Sequence, residues 1–131
     1  MHVSVLVLTH NEELILPRCL NALLWCDDVV IVDSGSKDHT VDIARRCGAR
    51  VFQRPFDNFA SQRNYGLDNV VWKHEWILHL DADEIITEEF RKKLLEFQPA
   101  ENINAYLVPS KLIFFGKWLR HAGMYPTYKC G

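Results

Sequence analysis

Three carboxylates close the apolar run from Trp76 to Leu80: Asp81, Asp83 and Glu84, with Ala82 between the first two. A short apolar run of this kind reads as a buried strand. Acids crowded at its end repel one another, a cost that a bound cation relieves. Alternate residues of an extended segment share a side, so Asp81 and Asp83 are expected to point together. One can then hold a divalent cation while the other reaches a sugar hydroxyl. A cation bound by one or two carboxylates commonly works with a phosphate-bearing ligand. The competing reading is a pair of solvated acids in a loop before a helix.

Other residues suited to chemistry also follow apolar runs. Asp33 ends Val29–Val32 and is followed by Ser34, Gly35 and Ser36. Its carboxylate can accept from a base N–H or a ribose hydroxyl, and Gly35 lets backbone approach a ligand closely. Thr9, His10, Asn11 and Glu12 end the first run, Val3–Leu8, with a hydroxyl, a ring, an amide and a carboxylate. His10 can lie flat against a base, although a lone histidine is more often structural, and no histidine spacing suits zinc. Arg63, between Gln62 and Asn64, offers a guanidinium to phosphate or a base carbonyl, with a solvated helix residue as the alternative. Phe114, Phe115, Trp118 and Tyr125 with Arg120 and His121 can stack on sugar rings or belong to a core.

The elements that must position these residues alternate. Strands are predicted at Val3–Leu8, Val29–Val32, 50–53, Trp76–Leu80, 105–108 and 112–115. A first helix runs to about Leu24, with Leu16, Leu20, Leu23 and Leu24 on one side and Pro17 in its first turn. A second follows a cap at Ser36 or Asp38, faces inward with Val41, Ile43, Ala44 and Cys47, and stops at Gly48 as C′ residue. A third spans Phe59–Asn69, and a fourth starts at a Thr87 cap with Glu88 and Glu89 in its first turn. Strands alternating with helices predict an α/β fold, a three-layer α/β/α sandwich with a mostly parallel sheet. Ligands of such sheets sit at the carboxyl ends of the strands, where all three polar clusters fall.

The 131 residues suit one structural domain, and 48% hydrophobic with 24% charged residues is ordinary globular usage. A net charge of −2 gives no general attraction to nucleic acid, so none is expected as a partner. Cys19, Cys26, Cys47 and Cys130 lack CxxC spacing and read as reduced packing residues. With no signal peptide and no apolar run of membrane-spanning length, a cytoplasmic location is expected, with peripheral contact at the inner face of the membrane left open. No Asp or Glu follows Glu101, whereas Lys111, Lys117, Arg120 and Lys129 do. The basic tail can approach anionic headgroups or phosphorylated saccharides, or pair with further protein. The chain is expected to be the N-terminal part of a longer protein, and a face left uncovered can drive homo-oligomerisation.

Four segments together resemble family 2 glycosyltransferases: Val3–Glu13, Val30–Thr40, Ala60–Gly66 and Leu80–Glu84. The segment Phe114–Gly123 is further similar to the bacterial branch that glucosylates the lipopolysaccharide inner core. The resemblance implies the nucleotide-diphospho-sugar transferase (GT-A, Rossmann-like) fold, with residues 1–101 binding a UDP-sugar donor and 102–131 opening the acceptor side. It implies that Thr9, His10, Asn11, Glu12, Asp33, Gly35, Arg63 and Asp81 serve the donor nucleotide and that Asp83 holds Mg²⁺ or Mn²⁺. The activity implied is inverting transfer, of glucose in the first instance, to a saccharide or lipid-linked saccharide. The family's general base lies well after the Asp-x-Asp motif and has no counterpart after Glu101, so it is not assigned and turnover by this chain alone is not expected. A phosphatase of the haloacid dehalogenase type fits less well, because its Asp-x-Asp ends an early strand. A sugar nucleotidyltransferase would carry a glycine-rich loop where Thr9–Glu13 stands. A non-catalytic nucleotide-sugar binding module remains an alternative.

Overall fold

The computed structural model describes residues 1–102, 106–109, 113–115 and 121–126. In chain order the elements are β1 (Val3–Thr9), α1 (Leu16–Asn21), β2 (Val29–Asp33), α2 (Thr40–Arg46), β3 (Arg50–Gln53), α3 (Phe59–Asn69), β4 (Trp76–Asp81), β5 (Glu84–Ile86), α4 (Glu88–Glu96), β6 (Tyr106–Pro109), β7 (Ile113–Phe115) and β8 (His121–Pro126). The main sheet has the order β3-β2-β1-β4-β8-β6, and β5 pairs with β7 in a separate ribbon. The strands β3, β2, β1 and β4 run parallel, while β8 and β6 add antiparallel pairings. The predicted α/β architecture with a mostly parallel sheet is thus what forms.

Alternation along the central strands divides the core in two. Val3, Val5, Val7, Ile31, Leu78 and Leu80 face the layer that contains Leu16, Cys19 and Leu20 of α1, Ala44 of α2, and Phe90 and Leu94 of α4. Leu6, Val30, Val32 and Ile77 face the other way, toward Tyr65, Leu67 and Val70. Strands buried on both faces must be apolar throughout, which is why these runs are continuous rather than alternating. On the α3 side packing is close: a Cβ on Gly66 would lie 3.3 Å from Leu6 Cδ1.

Several local expectations change. Helix α1 ends at Asn21, and Leu23 N–H donates to Leu20 O at 3.0 Å in a tighter turn. Leu23 is thereby carried inward while Leu24 is left 74% exposed, not on the inner face. Helix α2 starts at Thr40 with His39 at the N-cap position and no side-chain cap bond, so neither Ser36 nor Asp38 is its N-cap; Asp38, one residue further out, accepts from Thr40 N at 2.9 Å. Cys47 falls past the end of α2 and is exposed, while Cys19 is buried; Cys130 lies outside the described residues. Gly48, at φ +85°, does occupy the position after the Cys47 C-cap. Asn58 caps α3 by accepting from Ser61 N, and Thr87 caps α4 by accepting from Phe90 N. Strands β5 and β8 were not anticipated; the first is only three residues long.

At the amino end of the sheet, buried Asp28 is the fastening point. It accepts from Ser4 Oγ at 2.6 Å, from Arg50 Nη2 at 2.7 Å and from Lys73 N at 2.9 Å. Burial pushes its carboxyl up, but these bonds outweigh burial and hold it below the usual aspartate range. Replacing it by alanine leaves Ser4 and Arg50 without their acceptor. We expect Asp28→Ala to cost about 3 kcal/mol in urea unfolding at pH 7. Because the folded value is depressed, that stabilisation is present above the unfolded value of about 3.9 and is lost as pH falls through the folded value. The gap between variant and wild type should therefore close in acid; a gap that persists at low pH would assign it to packing.

Candidate functional site

The carboxyl ends of β1 and β2 are laced together. Thr9 and Asp33 are register partners, and Thr9 Oγ1 donates to Asp33 Oδ1 at 2.7 Å. Ser36 Oγ donates to the same oxygen at 2.6 Å, while Gly35 N and Ser36 N donate to Oδ2 at 3.0 and 2.8 Å. Asp33 is fully buried. An ionised carboxylate has about four acceptor positions, and the chain itself fills them. A base N–H therefore reaches Asp33 only by displacing one of these donors. Gly35 adopts φ +88°, the left-handed backbone that the turn requires.

Asn11 is also left-handed, at φ 53°. Its N–H donates to Ser36 Oγ at 2.7 Å, and its Oδ1 accepts from Lys37 N at 2.8 Å. Next along the chain, Glu12 N donates to Thr40 Oγ1 at 2.8 Å and Glu13 N to Asp38 Oδ2 at 3.2 Å. The two loops hold each other in register, and that fixes where His10 and Glu12 can point.

At the end of β4 the chain turns sharply from Asp81 to Glu84. Glu84, only 1% exposed, folds back so that its Oε1 accepts from Asp81 N at 2.9 Å. Ala82 is buried, and Asp81 and Asp83 line the adjoining cleft. The Arg63 guanidinium from α3 lies 3.9 Å from Asp81 Oδ1, a long ion pair. Close beneath, burial, and then the Arg63 charge, push the His79 imidazole down to about 3, so it is neutral at pH 7. Burial, and then the charges of Glu84, Asp83 and Asp81, push the Cys19 thiol up to about 12, which leaves it unreactive.

The cleft has a volume of about 810 Å³. Of the residues singled out at strand ends, Thr9, His10, Glu12, Asp81 and Asp83 line it. Asn11, Asp33, Gly35 and Arg63 are not among its lining residues; the first three shape the loops, and Arg63 meets Asp81 from α3. Sequence reasoning missed Ile15, Arg18, Phe56 and Phe59 as lining residues. For the two phenylalanines the signal was a large apolar residue in the loop 54–58 and another at the first position of the helix predicted over Phe59–Asn69.

The cleft is acidic on the β4 side. Burial, and then the charges of Asp83 and Asp38, raise the Glu12 carboxyl above its ordinary value. This crowding suits a hard cation. Among the described residues, no group of three or more His, Cys, Asp or Glu could hold a metal ion unaided. A cation here would take its remaining oxygens from a ligand or water, the pattern of Mg²⁺ sites that share their ion with substrate phosphates.

A parallel α/β sheet with this acid-lined cleft at its carboxyl edge is the GT-A nucleotide-sugar transferase architecture. The chain belongs to glycosyl transferase family 2, whose model matches residues 4–126. An uncharacterised glycosyltransferase of Rickettsia typhi is 30% identical over 131 residues, covering 98% of this chain and 44% of the relative. The lipopolysaccharide core biosynthesis glycosyltransferase LpsC of Rhizobium meliloti is 30% identical over 105 residues, covering 76% of this chain and 38% of the relative. The chain thus spans less than half the length of these two relatives. Glucosyl-3-phosphoglycerate synthase of Mycobacterium tuberculosis in complex with UDP superposes with a TM-score of 0.64 at 23% identity, over 79% of this chain and 42% of that one. The same enzyme has been solved with Mn²⁺, UDP and glucosyl-3-phosphoglycerate. At this identity the likeness shows the shared fold.

The raised Glu12 carboxyl carries a sign. When ionised it costs the folded state, so Glu12→Gln should stabilise the protein at pH 7, on the order of 0.5 kcal/mol for a half-exposed group. The gain should be largest above the folded value and vanish below the unfolded value, where both states are protonated. Thermal melts of the two proteins between pH 3 and pH 8 test this; a variant less stable than wild type at pH 7 would contradict it.

Proposed function

We propose that this chain is the donor-binding part of an inverting glycosyltransferase. It would move a sugar, glucose in the first instance, from a UDP-sugar to a saccharide or lipid-linked saccharide such as the lipopolysaccharide inner core. The observation that carries the reading is the facing of Asp81 and Asp83 with Thr9, His10 and Glu12 across one cleft at the carboxyl edge of a parallel sheet. Membership of family 2 and the similarity to a lipopolysaccharide core enzyme support it.

In this reading Thr9, His10, Asn11, Glu12, Asp33, Gly35, Arg63 and Asp81 form the donor nucleotide site, directly or by shaping its loops. Asp83, with Asp81 beside it, would hold Mg²⁺ or Mn²⁺. That ion supplies Lewis-acid neutralisation of the charge that grows on the departing diphosphate. Asp81 orients ribose or the donor sugar, and Arg63, 3.9 Å from its Oδ1, borders it from α3. The acceptor hydroxyl attacks the anomeric carbon from the face opposite the diphosphate and inverts it. No Asp or Glu lies among residues 102–131, so the base that takes the hydroxyl proton is not assigned to a residue of this chain. Residues 102–131 would begin the acceptor side, and the basic Lys111, Lys117, Arg120 and Lys129 in its sequence suit anionic acceptors or headgroups at the inner face of a membrane. Among the described residues no helix is long and apolar enough to cross one.

A thermal-shift titration tests the donor site without requiring turnover. UDP should stabilise the protein, and more strongly with Mn²⁺; at a hundredfold excess over Kd the gain is about 2.7 kcal/mol. Asp83→Ala should keep the UDP shift and lose the Mn²⁺ increment. No shift with any nucleotide, with or without metal, would sink the proposal.

A further inference from the structure

Glu84 is the third acid at the end of β4, and it does not line the cleft. It is 1% exposed, whereas Asp81 and Asp83 both reach the cleft. So placed, it is not a ligand for a cation that enters there. Its Oε1 instead accepts from Asp81 N at 2.9 Å. The bond runs from the third acid to the main chain of the first, and so spans the turn made by Ala82 and Asp83.

The residue that closes this turn is itself firmly held. Glu84 is the first residue of β5 and the register partner of Phe115 on β7, so the β5–β7 ribbon begins where the turn closes. On its other side lies α1: among the charges that raise the Cys19 thiol, Glu84 stands first after burial. Ala82, in the middle of the turn, is buried in the core layer with Leu16 and Cys19 of α1 and Phe90 of α4. The turn is thus anchored at its middle by packing and at its ends by the Glu84 hydrogen bond.

An acid is an unfavourable choice for such a place if stability alone decides. A carboxyl at this depth gives up its hydration, and it stands beside two further acids. An apolar side chain would fill the same space without that penalty, but would withdraw this acceptor from Asp81 N. What the acid adds over an apolar residue is the hold on the main chain from which Asp81 and Asp83 project.

We infer that Glu84 is a positioning residue for the divalent cation: by accepting from Asp81 N it fixes the turn that aims Asp83 into the cleft. The inference rests on the donor-site reading above and names the residue that orders its metal ligand. Hydrogen-bond partners behind a metal ligand set its orientation, and their removal typically lowers metal affinity about 10- to 100-fold.

Two substitutions of similar length separate the bond from the volume. Glu84→Gln keeps an oxygen that accepts from Asp81 N, and Glu84→Met fills the space without one. Urea unfolding verifies that both fold. Mn²⁺ binding to the whole chain in saturating UDP is read from the EPR signal of the free ion, and UDP binding without metal by calorimetry. Glu84→Met should weaken Mn²⁺ by roughly 10- to 100-fold and leave metal-free UDP binding unchanged, while Glu84→Gln stays close to wild type. With neither metal nor nucleotide present, the Asp81 N–H should exchange with solvent roughly tenfold faster in Glu84→Met than in Glu84→Gln. Wild-type Mn²⁺ affinity in Glu84→Met would overturn the inference while leaving the donor-site reading intact, as would equal amide exchange in the two variants. Equal weakening of Mn²⁺ in both variants would assign the effect to the lost acid and overturn the role of the hydrogen bond. Metal-free UDP binding lost in parallel with Mn²⁺ would assign Glu84 to general loop structure and overturn it as well. A wild-type chain that binds neither UDP nor Mn²⁺ would overturn both the inference and the donor-site reading.

Discussion

The arrangement of the cleft depends on one buried carboxylate. Asp33 lies where β2 leaves the sheet, with its oxygens taken by Thr9, Gly35 and Ser36. An unpaired carboxylate at this depth would cost several kcal/mol. Here hydroxyl and main-chain donors replace its hydration, each such bond to a charge worth about 1.5–3 kcal/mol. The Thr9 bond joins two strands, and the Gly35 and Ser36 bonds close a turn. Ser36, so placed, accepts from Asn11 N. The conformation of residues 10–13, and hence the direction of His10 and Glu12, follows from a charge that does not line the cleft.

Asp28 plays the corresponding part at the opposite edge, binding Ser4, Arg50 and Lys73 N. Between these two clamps β1 is wholly apolar except for Ser4 and Thr9, the very residues that reach them. The sheet is thus fastened at both ends by side chains, and its middle is held by the backbone ladders and by burial. Division of labour follows: the amino edge is fully committed to stability, whereas the carboxyl edge spends Asp33 on structure and leaves Glu12, Asp81 and Asp83 to the cleft.

Much of this was legible in the sequence, and what was not has physical causes. The central parallel strands β1, β2 and β4 announce themselves because burial on both faces demands largely apolar runs. Helix α3 was bounded correctly at Phe59–Asn69 because Asn58 caps it. Strands β5 and β8 escaped notice because their pairings, with β7 and with β4 and β6, are set by long-range register and not by local composition. Residue types at strand ends pointed to the edge of the sheet where the cleft lies. What they could not give was the choice each polar group makes between ligand and neighbour. Thr9 opposite Asp33 is a tertiary fact, visible only once β1 and β2 are in register. Phe56 was hidden for the converse reason, since an apolar residue in a loop carries no period, and Phe59 was read only as the first residue of α3.

The cleft is divided by chemistry along the sheet, and the division has a thermodynamic consequence. Glu12, Asp81 and Asp83 gather at one end, and burial, then Asp83, already holds the Glu12 carboxyl up. A diphosphate brought to that end alone adds like charge to a site that resists it. A cation brought alone meets too few donors to be held tightly, since no described cluster could bind one unaided. Each therefore removes the other's obstacle, the cation by cancelling repulsion and the phosphates by completing the oxygen shell. Such coupling is reciprocal: the factor by which the ion strengthens nucleotide binding is the factor by which the nucleotide strengthens ion binding. The acidic corner is then best understood not as a preformed metal site but as half of one, the other half being oxygens that a phosphate-bearing ligand would supply.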